Sequence, residues 1–266
     1  MAVLRASPGG EGPDKAVRLL PRHFDWQAVE CCLASHVRAC HSDGYLIFLD
    51  LEQDRYWSLR WDAADERRSC GGDGTAPCDG TDRCFFDREA FDPRLLAMLE
   101  ERRLLAPEDA DLTAPCRACV DVPPAEYRVP DSWGKPLPTI RFASAFFQAA
   151  WGASRLLARS SIGCIVERIA RQNAATMRAG QPFSLERAGQ LITVFNTLRP
   201  LYPRPYLCLF DSLALIEFLN RFAVQTSWVF GVTANPFRAH CWVQSGRTLL
   251  NDDLERVCLY TPIMEI

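Results

Sequence analysis

Between Ser35 and Leu59 the chain alternates short apolar runs with turn residues, the two-residue period of β-strands. SHVRACHSDG closes on Asp43-Gly44, a hairpin dipeptide. YLIFLDLE is a second strand, Gln53-Asp54 a second turn, and Arg55–Leu59 (RYWSL) a third strand. A polar insert with a GGDG run follows, roughly Asp62 to Cys84. The period then becomes helical. Leu95, Leu96, Leu99 and Leu104 are spaced for one helix, with Asp92 as N-cap and Pro93 at the first position. The pattern predicts a small antiparallel meander with helices.

Prolines 115, 123, 124, 130, 136 and 138 then crowd one stretch, as in a linker. Beyond it FASAFFQAAWGASRLLARSSIGCIVERIARQNAA has helical periodicity, with Ile162, Ile165, Val166 and Ile169 on a buried stripe. A further helix is expected over roughly Leu185–Leu198, stopped by Pro200, Pro203 and Pro205. RPYLCLFDSLALIEFLNRF continues as a helix with Leu209, Leu213, Ile216 and Leu219 on one face. SWVFGV, HCWVQ and TLLND read as three strands, separated by Ala234-Asn235-Pro236 and Ser245-Gly246. The expectation is an α+β chain: a tail over 1–22 rich in glycine and proline, a first domain over 23–112, a linker over 113–138 and a second domain over 139–266.

Charge sharpens that division. Net charge is −3 over 266 residues, but residues 1–119 carry 22 acids and 15 bases, and residues 120–266 carry 11 and 15. No basic run gives nucleic-acid binding electrostatic support. No segment reaches the roughly 20 apolar residues of a membrane span, so no membrane role is expected. The first 30 residues lack the apolar run of an export signal. A cytoplasmic location follows as an expectation, with the 12 cysteines as thiols. Cys116-x-x-Cys119 lies in the proline-rich stretch rather than between a strand and a helix, which disfavours redox chemistry. Cys70, Cys78 and Cys84 are spaced loosely for zinc, so neither metal nor cofactor is expected.

Chemistry concentrates in the last 60 residues. Cys208 falls in the first turn of its helix, where the positive helix end favours a thiolate. His240 opens the middle strand of the three, and Asp252 follows the last. Nucleophile, base and orienting acid thus occur in the order of thiol catalysis. Asp253, next in sequence, could replace Asp252. Cys241, adjacent to His240, is expected on the opposite face of the strand.

The residues from Pro205 to Asp252 resemble the transglutaminase-like cysteine peptidases of lasso-peptide biosynthesis, the B proteins. The likeness lies in Cys208-Leu209 with Ser212-Leu213-Ala214-Leu215, in WVFGV, in the run Asn235 to His240, in Trp242-Val243 and in Asn251-Asp252. WGASRLLARSS and IVERIARQ extend it, so that it covers roughly 140–260. The first module, through YLIFLDLEQDRYWSL and its late helix, is similar to the PqqD-like recognition elements that bind precursor leaders. The resemblance implies a winged-helix-like PqqD-type module fused to a transglutaminase/papain-like cysteine peptidase domain. It implies a leader peptidase that frees the core peptide's α-amine, with Cys208 as nucleophile, His240 as base and Asp252 as orienter. The implied partners are a lasso precursor peptide and an ATP-dependent macrolactam synthetase. The leader would lie along the third strand beside the late helix, which makes Tyr56, Trp57, Leu95 and Leu99 candidate contacts. Strand alternation allows only one of Tyr56 and Trp57 to face that groove. The same triad could instead pass its acyl group to an amine, or the chain could be a leader-binding adaptor without catalysis.

Overall fold

The computed structural model describes residues 5–6, 33–60, 93–106, 125–129, 139–178 and 183–266. The chain divides into two compact units, Leu4–Val120 and Asp121–Ile266, the latter with Met1–Val3.

In the first unit β2 (Val37–Ser42), β3 (Tyr45–Asp50) and β4 (Arg55–Arg60) form an antiparallel meander. Asp43 and Gly44 both take positive φ, 49° and 76°, as the tight hairpin requires. At the second turn Asp50 is fully buried, and its Oδ1 accepts from the N–H groups of Glu52 and Gln53 at 2.9 and 3.0 Å. The two-residue β1 (Arg5–Ala6) pairs in parallel with Arg55 and Tyr56 of β4. Helix α1 (Pro93–Glu101) packs on one face of the sheet. Val37, Leu46, Phe48, Leu99 and Leu104 form that core, with Trp57, Leu59 and Leu96 packed against it.

The second unit holds α2 (Ile140–Arg159), α3 (Ile162–Arg178), α4 (Leu185–Leu198) and α5 (Cys208–Asn220). Its sheet runs β5 (Tyr127–Arg128), β8 (Thr248–Leu249), β7 (Phe237–Ser245), β6 (Ser227–Ala234) and β9 (Thr261–Glu265). A short α6 (Leu254–Val257) precedes β9. The sequence pattern did not show β9. Nor did it show that the stretch read as linker supplies β5, parallel to β8.

α5 is apolar on every side, with Phe210 and the whole run Ser212–Leu219 buried between α2 and β7. Each fully buried Leu, Ile or Phe there contributes about 1.5–3 kcal/mol. The helix is therefore fixed by packing rather than by propensity, and its first residue is fixed with it. That residue is Cys208. The stripe Ile162, Ile165, Val166 and Ile169 is buried as its period predicts. α4 begins on Ser184, whose Oγ accepts from the N–H of Arg187 at 3.3 Å. Among the described residues no helix is long and apolar enough to cross a membrane.

Candidate active site

The N-cap of α5 is Leu207, which has no polar side chain to cap the helix. Asp211, one turn on, does it instead: its Oδ2 accepts from the Leu207 N–H at 2.7 Å. Its Oδ1 is ion-paired to Nε of the buried Arg199, just past α4. The rest of that guanidinium donates to the carbonyls of Tyr202, Arg204 and Pro205 at 3.3, 3.1 and 3.0 Å. The chain leading into Cys208 is thus held by one cation and one carboxylate.

His240 and Asp252 meet at the same place. Nε2 of His240 is bonded to Oδ2 of Asp252, which leaves the other ring nitrogen to face Cys208. Asp252 also accepts at Oδ1 from the Asp253 N–H, at 2.8 Å, and lies 3.5 Å from Nε of Arg256. Asp253 points elsewhere, to Nη1 of Arg128 at 2.7 Å. Geometry therefore selects Asp252 from the two neighbours. His240 is the fourth residue of its strand rather than the first, because β7 starts at Phe237.

A second layer sets the register. The Ser212 hydroxyl on α5 donates to the Cys241 carbonyl at 3.3 Å and accepts from Nδ2 of Asn251 at 3.0 Å. Asn251 Oδ1 accepts from the Val243 N–H at 2.8 Å. The Cys208 helix, the His240 strand and the Asp252 loop are thereby pinned by one small network. Behind the imidazole stand Tyr260 and Trp242, with ring centroids 5.1 and 6.1 Å away. Gly231 pairs with His240 across β6 and β7. A Cβ there would come within 2.8 Å of the Trp242 ring and of Tyr260 Cβ.

The electrostatics follow from these contacts. The Cys208 thiol is drawn down to about 4, first by a hydrogen bond from Cys241, then, against partial desolvation, by a hydrogen bond and charge from His240. Desolvation alone would lower the His240 value. Its bond to Asp252 and its contact with Cys208 outweigh that and lift it to about 9. Desolvation also works against ionised Asp252, but His240 and the Asp253 N–H keep its carboxyl below the usual range. Cys241, fully buried, is pushed well above the ordinary thiol value by desolvation and stays protonated. At neutral pH the site therefore holds a thiolate, an imidazolium and a carboxylate in sequence. Cys241, the neighbour of His240 on β7, also lines the cavity of about 320 Å³ that holds Cys208 and His240.

In the first unit the described candidate peptide contacts Tyr56, Trp57 and Leu99 differ in exposure. Tyr56 and Leu99 are buried, at 5 and 0% exposure, and Leu99 belongs to the core under the sheet. A helix stripe that faces its own sheet is occupied by that sheet. The Leu95 side chain lies outside the described residues. Trp57 remains half-exposed, with the Arg102 guanidinium 4.2 Å over its ring. It lines an open cavity of about 610 Å³ together with Gln53, Arg102 and Arg103. Cys70, Cys78, Cys84, Cys116 and Cys119 also lie outside the described residues. Among the described residues no three His, Cys, Asp or Glu side chains are grouped as metal ligands.

A cysteine at the exposed start of a buried helix lies beside a histidine on the adjacent strand and an aspartate beyond it. Residues 150–265 match the family model described as Transglutaminase-like superfamily. The second unit carries a transglutaminase-like domain. Comparison with curated proteins and with solved structures returned no match. The matched span contains all of Cys208, His240 and Asp252, and transglutaminase-like domains generally belong to cysteine-type enzymes. Sequence reasoning missed Arg199, Asp211, Ser212 and Asn251. Asn251 and Ser212 lay within the quoted motifs, but their partners are set only by tertiary packing.

Proposed function

We propose that this chain is a cysteine peptidase that removes the leader of a ribosomal lasso-peptide precursor. The observation that carries the reading is that Cys208 shares one cavity with His240 and its bonded partner Asp252 in a transglutaminase-like domain. The Cys208 thiolate adds to the carbonyl carbon of the scissile amide. His240, already protonated, gives its proton to the departing amine, and a thioester remains. Neutral His240 then takes a proton from water, whose oxygen displaces the thiolate and releases the leader acid. Asp252 holds the imidazole ring and stabilises its charged form. The released amine is the core peptide's N-terminus, which a separate ATP-dependent macrolactam synthetase in the same bacterial cytoplasm would acylate to close the ring. The first unit takes the role of a PqqD-like leader-recognition element. Its three-stranded sheet and the Trp57–Arg102 surface support that role, since β1 covers only Arg55 and Tyr56 of the edge strand.

Mass spectrometry of the precursor peptide encoded beside this chain tests the reading, with and without the synthetase and beside Cys208→Ala. One cut between leader and core that is absent in Cys208→Ala is expected. Cleavage that survives the substitution removes Cys208 from the mechanism. Leader binding without any cleavage would make the chain an adaptor. A second reading is supported by the same family: the thioester is resolved by an amine instead of water, giving transamidation. Appearance of the acylated amine in place of the free leader acid would select it.

A further inference from the structure

The mechanism leaves open what receives the negative charge that builds on the scissile carbonyl oxygen. Resting on the thiol-catalysis reading of Cys208, the geometry points to Asn196 as the side-chain donor of the oxyanion site. Asn196 lies two residues before the end of α4, is exposed and lines the cavity that holds Cys208 and His240.

Most other polar side chains of that cavity already have partners. Arg199 is spent on Asp211 and three carbonyls, and Asp211 on Arg199 and Leu207. Both ends of the Asn251 amide are bonded, to the Val243 N–H and the Ser212 hydroxyl. Arg256 is directed to Asp252 at 3.5 Å. The Tyr206 ring lies 4.3 Å from the Arg199 guanidinium on the loop, 67% exposed. Among the described residues nothing engages the Asn196 amide. It is carried on a packed helix, between the buried Phe195 and Leu198, and rigid elements hold such donors better than loops do.

Backbone donors are present at the start of α5. The first intrahelical bond of α5 runs from the Asp211 N–H to the Leu207 carbonyl at 2.8 Å. The N–H groups of Cys208, Leu209 and Phe210 precede it and have no helical acceptor. When the Cys208 sulfur bonds to the carbonyl carbon, the C=O π pair moves onto oxygen. The Asn196 N–H and the helix-start N–H groups donate to that oxygen. The pair returns as the C–N bond breaks, and the amine leaves with the proton from His240. An uncharged amide suits this task, because it is worth most where charge is present only in the transition state.

The test compares Asn196→Ala, Asn196→Gln and Tyr206→Phe with the wild-type chain on the synthetic leader–core precursor. Iodoacetamide alkylation of Cys208 is followed alongside, since alkylation needs the thiolate but forms no oxyanion. Expected for Asn196→Ala is a kcat loss of about 10²–10³-fold with KM nearly unchanged and the alkylation rate intact. Asn196→Gln, which keeps an amide, should recover part of it. Wild-type turnover in Asn196→Ala, or transfer of the loss to Tyr206→Phe, overturns the assignment. A loss of alkylation in step with turnover also overturns it, because the residue would then be supporting the thiolate. If the wild-type chain neither cuts the peptide nor alkylates preferentially at Cys208, the underlying peptidase reading fails, and this assignment with it.

Discussion

Asn251 donates through Nδ2 to the hydroxyl of Ser212 at 3.0 Å, joining the loop of Asp252 to the helix of Cys208. Neither residue touches the reacting atoms, yet together they fix how far Asp252 and His240 stand from Cys208. Ser212→Ala leaves the Asn251 amide and the Cys241 carbonyl without this partner. A stability loss of about 1–3 kcal/mol is expected, with a fall in kcat larger than any change in KM. Denaturant unfolding beside steady-state kinetics checks it. An unchanged kcat at reduced stability would confine Ser212 to a structural role.

Activity should follow a broad bell in pH. The Cys208 thiol is held at about 4 and His240 at about 9. Below about 4 the thiolate is protonated and attack stops. Above about 9 the imidazolium is lost, and with it the proton for the leaving amine. Between the two values kcat/KM should be flat, which a pH–rate profile reads directly. A single acid limb near the ordinary histidine value would contradict the ion pair.

Cys241 does most to lower the Cys208 thiol. Cys241→Ala should therefore move the acid limb of Cys208 alkylation to higher pH while keeping turnover near neutrality. Cys241→Ser keeps a donor and should move it less. Ultraviolet thiolate absorbance titrated in the two variants distinguishes this from simple loosening of the core.

Much of the site was legible because it depends on local pattern. The alternation of SWVFGV and HCWVQ and the apolar run after Cys208 predict two strands and a helix in the right places, although β7 begins at Phe237 rather than His240. What was not legible depends on which atoms meet. Asp252 and Asp253 are adjacent and chemically identical, and only Arg128, from the stretch read as linker, draws Asp253 aside. Strand alternation puts Cys241 opposite His240, but the start of α5 lies where both reach Cys208. In the first unit, helical spacing identified the apolar face of α1 without saying whether sheet or ligand covers it. Leu99 is covered by the sheet. Tyr56 and Trp57 do separate as alternation requires.

Gly231 carries one sequence signal that can now be read, since glycine inside a strand marks a close approach. Gly231→Ala would place Cβ 2.8 Å from both the Trp242 ring and Tyr260, the wall behind His240. A cost of about 1–3 kcal/mol is expected, at roughly 2–4 °C of Tm per kcal/mol, with reduced kcat as the imidazole shifts. Thermal melting and kinetics on the same sample test it. A variant with wild-type Tm would mean that the wall yields freely.

Arg199 gives the nucleophile's approach a shared fate with a different helix. The carbonyls it gathers, from Tyr202, Arg204 and Pro205, lie on a short run between α4 and α5, and its Nε reaches the first turn of α5. That run cannot open by itself without uncovering a buried cation and stranding Asp211. Amide exchange at Tyr202, Leu207 and Asp211 should therefore occur in one cooperative event with the end of α4. The position of Cys208 at the head of α5 is then held by the end of α4 as much as by α5 itself.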